Sequence, residues 1–412
     1  MTDRIQEGVH FRPGEKPLPH FSIAFISLAD QSSAHEALTH LQSLWQLLRD
    51  LKAGIVPDLT GSTQDGGDLQ VLLGFGHSIF GKLGVNGRKP VELKGFRDPQ
   101  ANGGGVVTLG SGLNYAKSVR SNPANSDIAF QFTGSSALTV NRALVEVWKF
   151  IHDVNAVNNK TVFQISGAFS GFGREDKRSW IDFFDGTANL RSDQRLDAIE
   201  IKSRLHPAPD SWKERGTYLC FMRLAVDIRA WRLLTRVQQE QLVGRDKISG
   251  CPLISQGGEA AMPAPGCPIT GNGNVEDGQN EAFRDAPRPA GSAVLRESHI
   301  HRVNHGRATV SDPESRRIFR QGYEFLDGID ETGRPLLGLN FVSFQDTPDR
   351  ILLMLKLKDW LGGVNFGGAE NQQLPGMSEL LSTYAAGFFI VPPRTDNGRF
   401  PGWDAFVEQV IA

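Results

Sequence analysis

The chain has 412 residues, with 44 Lys plus Arg against 46 Asp plus Glu, a formal net charge of −2, 39% hydrophobic residues and 45 glycines. That length and composition suit a globular protein of two domains and exclude disorder, collagen and coiled coil as the main architecture. The near-neutral charge, with no basic stripe, argues against a nucleic-acid partner, and no run of about 18 apolar residues is present to span a membrane as a helix.

The opening, Met1 to Arg12, is polar, without an apolar signal core or a twin-arginine pair, so the expected location is the cytoplasm. Three cysteines cannot make a disulfide framework, and a reducing compartment fits that count. Four times an apolar β-type run is followed by a turn and a helix-type run. The first is Phe21 to Leu28, then Ala34 to Leu51, where Leu38, Leu41, Leu44, Leu48 and Leu51 share one helical face and Ser33 with Glu36 forms a capping box. The second is Asp127 to Phe132, then Ser136 to Val154. The third is Thr217 to Ala225, then Ile228 to Leu242. The fourth is Leu337 to Phe344, then Asp349 to Leu361. Further strand-like runs are Leu69 to Gly74, Val162 to Ile165 and Gly387 to Val391.

Two such units per half predict an α+β protein of two tandem ferredoxin-like β-α-β-β-α-β domains, each an antiparallel sheet with peripheral helices. The expected halves are 1–195 and 196–412. The polar stretch from Asn189 to Trp212 carries the boundary, and a long Gly- and Pro-rich loop runs at about 250–291. The loop repeats Gly-Cys-Pro at Cys251 and Cys267, read either as a thiol pair or thiolate ligands or, preferably, as two turn cysteines.

A phosphate loop, a His-Glu-x-x-His helix and zinc-type cysteine spacing are all missing from the sequence. Three segments can carry chemistry. In Trp180-Ile-Asp-Phe-Phe-Asp185-Gly186-Thr187-Ala-Asn189 a carboxylate lies among aromatics, where desolvation raises a pKa toward acid–base work; an ordinary Asx turn reads the same residues. Glu297-Ser-His299-Ile-His301-Arg302-Val-Asn304-His305-Gly-Arg307 gathers three histidines, which are either metal ligands, with His299 and His301 on one face of a strand, or a polar loop. In Arg316-Arg317-Ile-Phe-Arg320-Gln-Gly-Tyr323, Arg320 follows an apolar pair and needs an anionic partner.

Together these segments resemble the dye-decolorizing peroxidase family. The family's Gly-x-x-Asp-Gly motif aligns with Asp182-Phe-Phe-Asp185-Gly186, its proximal histidine segment with His299-Ile-His-Arg-Val-Asn304, and its distal arginine segment with Ile318-Phe-Arg320-Gln-Gly322. Ile5-Gln-Glu-Gly-Val, Gly74-Phe-Gly76, Leu242-Val-Gly-Arg-Asp-Lys247 and Gly338-Leu-Asn-Phe341 resemble further family stretches in order.

The resemblance implies two ferredoxin-like domains with haem b in the second. It makes His299 the proximal iron ligand, Asp185 the distal proton carrier and Arg320 the cation beside the departing oxygen. Gly186, Thr187, Leu339 and Phe341 belong to the haem pocket. Arg302 or Arg307 is a candidate for the haem propionates, and Glu379 for the acid that hydrogen-bonds the proximal histidine. The implied activity is reduction of hydrogen peroxide through a ferryl intermediate, with one-electron oxidation of aromatic dyes or phenols. Trp360, Tyr323 and Tyr384 are candidate surface relays, although core packing explains most such residues.

Two departures from the family pattern stand out. Asp182 replaces the motif's first glycine and could add negative charge near Asp185. His301 and His305 replace an Arg and a Pro, and His301 is a second candidate ligand. Two rival readings are a haem-handling protein with little turnover and a non-catalytic α+β binding or assembly protein. Sheet edges are compatible with a homo-oligomer.

Overall fold

The computed structural model describes residues 4–11, 15–30, 32–66, 68–93, 96–97, 106–107, 126–184, 189–190, 192–202, 208–254, 262–263, 293–296, 298–303, 317–355 and 380–410. In the first strand, β1 (His20–Leu28), Phe21, Ile23 and Phe25 point one way and Ala24, Ile26 and Leu28 the other, and all six are buried. A strand covered on both faces reads as an unbroken apolar run, which is why it is visible in the sequence. The helix that follows, α1 (Ala34–Lys52), buries the five predicted leucines. Only half of its capping box forms. The Ser33 hydroxyl accepts from the Glu36 N–H at 3.2 Å, while the Glu36 carboxylate takes Lys160 Nζ at 2.8 Å instead.

The first half continues through β2 (Gln70–Phe75), β3 (Ile128–Gly134), α2 (Ala137–Val157) and β4 (Phe163–Phe172), in the sheet order β4-β1-β3-β2. After α3 (Ser192–Ile199), the second half repeats this pattern with β5 (Thr217–Val226), β6 (Phe319–Ile329), β7 (Pro335–Gln345) and β8 (Leu381–Val391), in the order β8-β5-β7-β6. Each half is therefore a ferredoxin-like sheet with its fourth, first, third and second strands side by side, all antiparallel.

The two sheets close into one eight-stranded barrel. Two seams join them, registered at Phe75 with Ile390 between β2 and β8 and at Phe172 with Glu324 between β4 and β6. Phenylalanines from both halves fill the interior. The Phe25 ring lies 5.2 Å from that of Phe221 and 5.4 Å from that of Phe389, and Phe21 stacks on Tyr323 at 4.5 Å. Tyr323 is thus a buried core residue, as the packing alternative had it.

Three local expectations change. The run from Ile228 to Leu242 is two helices, α4 (Ile228–Arg232) and α5 (Arg236–Val243), because Thr235 forms a full capping box with Gln238 and starts a new helix. His299 and His301 lie on a short helix, α6 (His299–Val303), rather than a strand. Cys251 is disulfide-bonded, so it is not an unlinked turn cysteine, while Cys220 is a free, buried thiol. The remaining helices used below are α7 (Asp349–Leu355) and α8 (Trp403–Val410). Among the described residues no helix is long and apolar enough to cross a membrane.

Candidate functional site

The outer face of the second sheet is built from three cross-strand rows. Arg320 of β6 lies opposite Ser343 of β7, Cys220 of β5 and Phe388 of β8. Gly322 lies opposite Phe341, Met222 and Ala386, and Glu324 opposite Leu339, Leu224 and Thr383. Because register partners share a face, one arginine stands at the border of a surface formed by Leu339, Phe341, Met222 and Leu224. Met222 and Leu224 are buried and Arg320, Leu339 and Phe341 half-buried. The structure thus brings three of the predicted pocket residues, Arg320, Leu339 and Phe341, onto one surface. Met222, Leu224 and the buried Glu324 join them there without having been singled out in the sequence.

Arg320 is fixed through its backbone. Asn189 Nδ2 donates to the Arg320 carbonyl at 2.7 Å, and Asn189 Oδ1 accepts from the Arg320 N–H at 3.0 Å. Asn189 follows Asp185 by four positions, so this clamp anchors the C-terminal end of the Asp185 segment on the arginine strand. Asp185, Gly186 and Thr187 themselves, together with Arg307, Glu379, His305 and Trp360, lie outside the described residues, as do the side chains of His301 and Arg302. His299 is half-buried at the start of α6.

The N-terminal side of the Asp185 segment is held by a second set of bonds. Arg178 Nη1 donates to the carbonyls of Asp182 at 2.6 Å and Lys247 at 2.8 Å, and Nη2 to that of Ile248 at 3.1 Å. Its guanidinium covers the Phe184 ring at 3.8 Å. Phe183 packs against Trp231 in a satellite core with Ile181 and Leu380. Asp182 has φ +68°, in the left-handed region that favours glycine. Its exposed carboxylate meets Lys247 Nζ at 3.3 Å. The family glycine is therefore explained by backbone conformation, and the charge Asp182 adds is directed to solvent and Lys247.

Lys247 belongs to a tight turn, 244–253. The Asp246 N–H donates to the Cys251 carbonyl at 2.8 Å, the Gly250 N–H to the Asp246 carbonyl at 2.9 Å and the Leu253 N–H to the Gly244 carbonyl at 2.9 Å. Asp246 Oδ1 accepts from both the N–H and the hydroxyl of Ser249 at 2.6 Å. Burial pushes the Asp246 carboxyl up, but Ser249 and Arg236 outweigh it and hold it below the ordinary range.

Gly244 ends α5 with φ +85° and packs against α6. A Cβ there would come within 2.4 Å of Ser298 Oγ and 2.7 Å of Ile300 Cγ1, the residues on either side of His299. The next residue, Arg245, is 6% exposed, and its Nη1 donates to the Gly250 carbonyl at 2.7 Å. Burial, with the Arg320 charge in addition, lowers the Arg245 pKa to about 10. It is still a cation at neutral pH.

Comparison with known proteins accounts for this architecture. The sequence model described as Dyp-type peroxidase, N-terminal, matches residues 18–103, and that described as Dyp-type peroxidase, C-terminal, matches 176–396. The chain belongs to the Dyp-type peroxidase family. Members of this family are haem b peroxidases. The fold of this Dyp-type chain is similar to that of a DyP-type peroxidase from Streptomyces coelicolor, with TM-score 0.67, 22% identity and 97% of each chain covered. It is also similar to ferric DtpA from Streptomyces lividans, with TM-score 0.66, 23% identity and again 97% of each chain covered. Among curated proteins, the deferrochelatase of Shigella flexneri serotype 5b (strain 8401) is 24% identical over 324 residues, covering 76% of this chain and 67% of the relative. That of Escherichia coli K12 is 24% identical over the same length, covering 76% and 66%.

Proposed function

We propose that this Dyp-type chain binds haem b, reduces hydrogen peroxide and oxidises aromatic dyes or phenols in one-electron steps. The observation that carries the reading is the setting of Arg320. It shares a face with Leu339, Phe341 and Met222, and it is clamped to the segment that bears Asp185. The residues fit the group: an apolar sheet face suits a porphyrin, and the arginines beside it suit its carboxylates. When bound, haem supplies an open iron position for peroxide and the redox equivalents.

His299 would hold the iron through a ring nitrogen, with Glu379 as the acceptor that fixes its tautomer. Asp185 would carry the peroxide proton from the inner to the outer oxygen, with Gly186 and Thr187 shaping its turn. Arg320, a fixed cation on a clamped backbone, would hold the negative charge that develops on the leaving oxygen. Leu339, Phe341, Met222 and Leu224 would exclude water there. Arg302 and Arg307 are candidates for the haem carboxylates.

The 24% identity to proteins named deferrochelatase supports a second reading, haem handling with little peroxidase turnover. The test is an absorption spectrum of haem-loaded protein, titrated with one equivalent of hydrogen peroxide and then with a phenol. It is repeated in Asp185→Asn and Arg320→Leu. A reversible peroxide-dependent Soret shift, lost in both variants while haem stays bound, supports the peroxidase. A band that peroxide only bleaches, equally in all three proteins, favours haem handling. No haem uptake sinks both.

A further inference from the structure

Helix α2 is apolar on the side that packs against the first sheet and also on part of the side that does not. Val140, Ala143, Val147, Ile151 and Val154 make the buried side. At about 100° per residue, Leu138, Val145, Trp148 and His152 fall on the opposite side, within an arc of about 80°. Leu138 is 68% exposed, Val145 49% and Trp148 56%. The His152 ring stacks on the Trp148 ring at 5.4 Å, which steadies the indole. Asp58 meets Lys149 at 2.6 Å and so brings the loop after α1, with the exposed Ile55 and Leu59, alongside this stripe. Single exposed apolar residues are ordinary, but a stripe of them centred on a tryptophan marks an association surface.

The charges of α2 say what associates there. Arg142 and Asp153 stand on one flank of the stripe, about 20° apart in projection, and equally far along the helix from the midpoint between Val147 and Trp148. A second helix of the same sequence, laid antiparallel on the stripe about a twofold axis at that midpoint, sets Arg142 against Asp153 of the copy, and does so twice. Leu138 then faces Ala156 of the copy, and the two Trp148 rings meet beside the axis. A parallel copy would set like charge against like. Lys149, the other cation beside the stripe, is already neutralised by Asp58 and by Glu146 at 3.1 Å. Among the described residues Arg142 has no ion-pair partner, and Asp153 has only the adjacent His152.

We propose that α2 is a homodimer interface, packed antiparallel on α2 of a second copy around Trp148, with an Arg142–Asp153 ion pair on each side of the axis. The described strands of the barrel close on themselves, so the sheet edges expected to serve an oligomer are already paired. Because α2 lies over β1, β3 and β4 of the first half, the pairing does not involve the face that carries Arg320, and the proposal stands independently of the haem reading.

The experiment is sedimentation equilibrium of the full chain over a wide concentration range, with far-UV spectra and haem uptake as the folding control. Wild type is expected to approach the mass of two chains. Trp148→Glu should weaken the dimer at least about thirtyfold, the size of a lost hot-spot tryptophan, while the controls stay unchanged. Arg142→Asp and Asp153→Arg should each weaken it, by setting like charges together, and the double variant Arg142→Asp/Asp153→Arg should restore it.

A wild type that keeps the mass of one chain throughout would leave the stripe to another occupant and overturn the proposal. A dimer that Trp148→Glu leaves intact would place the interface on another face and overturn it as well. Charge reversals that change nothing singly, or that the double variant fails to rescue, would overturn the antiparallel pairing.

Discussion

The side-chain amide of Asn189 pairs with both backbone polar groups of Arg320, 131 residues away in sequence, at 2.7 and 3.0 Å. This reproduces, with one side chain, the pairing a neighbouring strand would give. It ties a loop of the first half to a strand of the second at the point where the proposed chemistry requires two side chains from different halves to stay in fixed relation.

Asn189→Ala should therefore leave two backbone groups of β6 unpaired, costing about 1–3 kcal/mol of stability. The rate of reaction with peroxide should fall about tenfold for each 1.4 kcal/mol of transition-state stabilisation lost, while haem stays bound. Stopped-flow absorbance alongside thermal melting of the loaded protein reads both. An unchanged peroxide rate would show that the clamp serves stability alone.

Gly244→Ala should destabilise the fold whether or not haem is bound. A left-handed conformation costs a non-glycine residue about 1–2 kcal/mol, and the new methyl group also meets Ser298 and Ile300. Overpacking adds about 1–3 kcal/mol. The expected result is a lower melting temperature already without haem, and weaker binding of hemin and of its dimethyl ester alike.

Asp182→Gly should be nearly silent. Glycine relieves the left-handed strain at φ +68°, while the exposed contact with Lys247 is worth only about 0–1 kcal/mol. Stability should stay within about 1 kcal/mol of wild type on those terms, and the pH profile of peroxidase activity should not move. A shift in that profile would mean that the Asp182 charge reaches the proton carrier after all.

Asp246 gives the turn at 244–253 a dependence on acid. Its carboxyl is held below the value it has in the unfolded chain, so the ionised form favours folding. That contribution is complete above the ordinary carboxylate range, about 3.9 for Asp, and is lost as pH falls through the lower folded value. Asp246→Asn should cost about 1–3 kcal/mol at pH 7, because the Ser249 and Arg236 bonds lose their charge, and the two proteins should converge below about pH 4. Urea titrations across that range measure the gap. A gap that stays constant with pH would contradict the assignment.

The sequence discloses elements whose residues answer to one periodicity. Leu38 to Leu51 repeats at helical spacing, and the Phe21 run is apolar on both faces, so α1 and β1 are plain. In β6 the outward positions are Arg320, Gly322 and Glu324 and an inward one is Gln321, so no apolar run marks the strand. The apolar spacing also runs through residues 233–235, where a capping box, a local hydrogen-bond pattern, breaks the helix. Arg320 was legible because it sits in a motif. Asn189 lay in a quoted segment without a role, since its partners are backbone groups in the other half.

The two seams of the barrel are equivalent. Each pairs the second strand of one half with the fourth strand of the other, β2 with β8 and β6 with β4. That is the self-complementary contact of a twofold homodimer, here drawn within a single polypeptide. Each half alone would turn half of a phenylalanine-lined interior to water, so neither sheet has a complete core until both seams close.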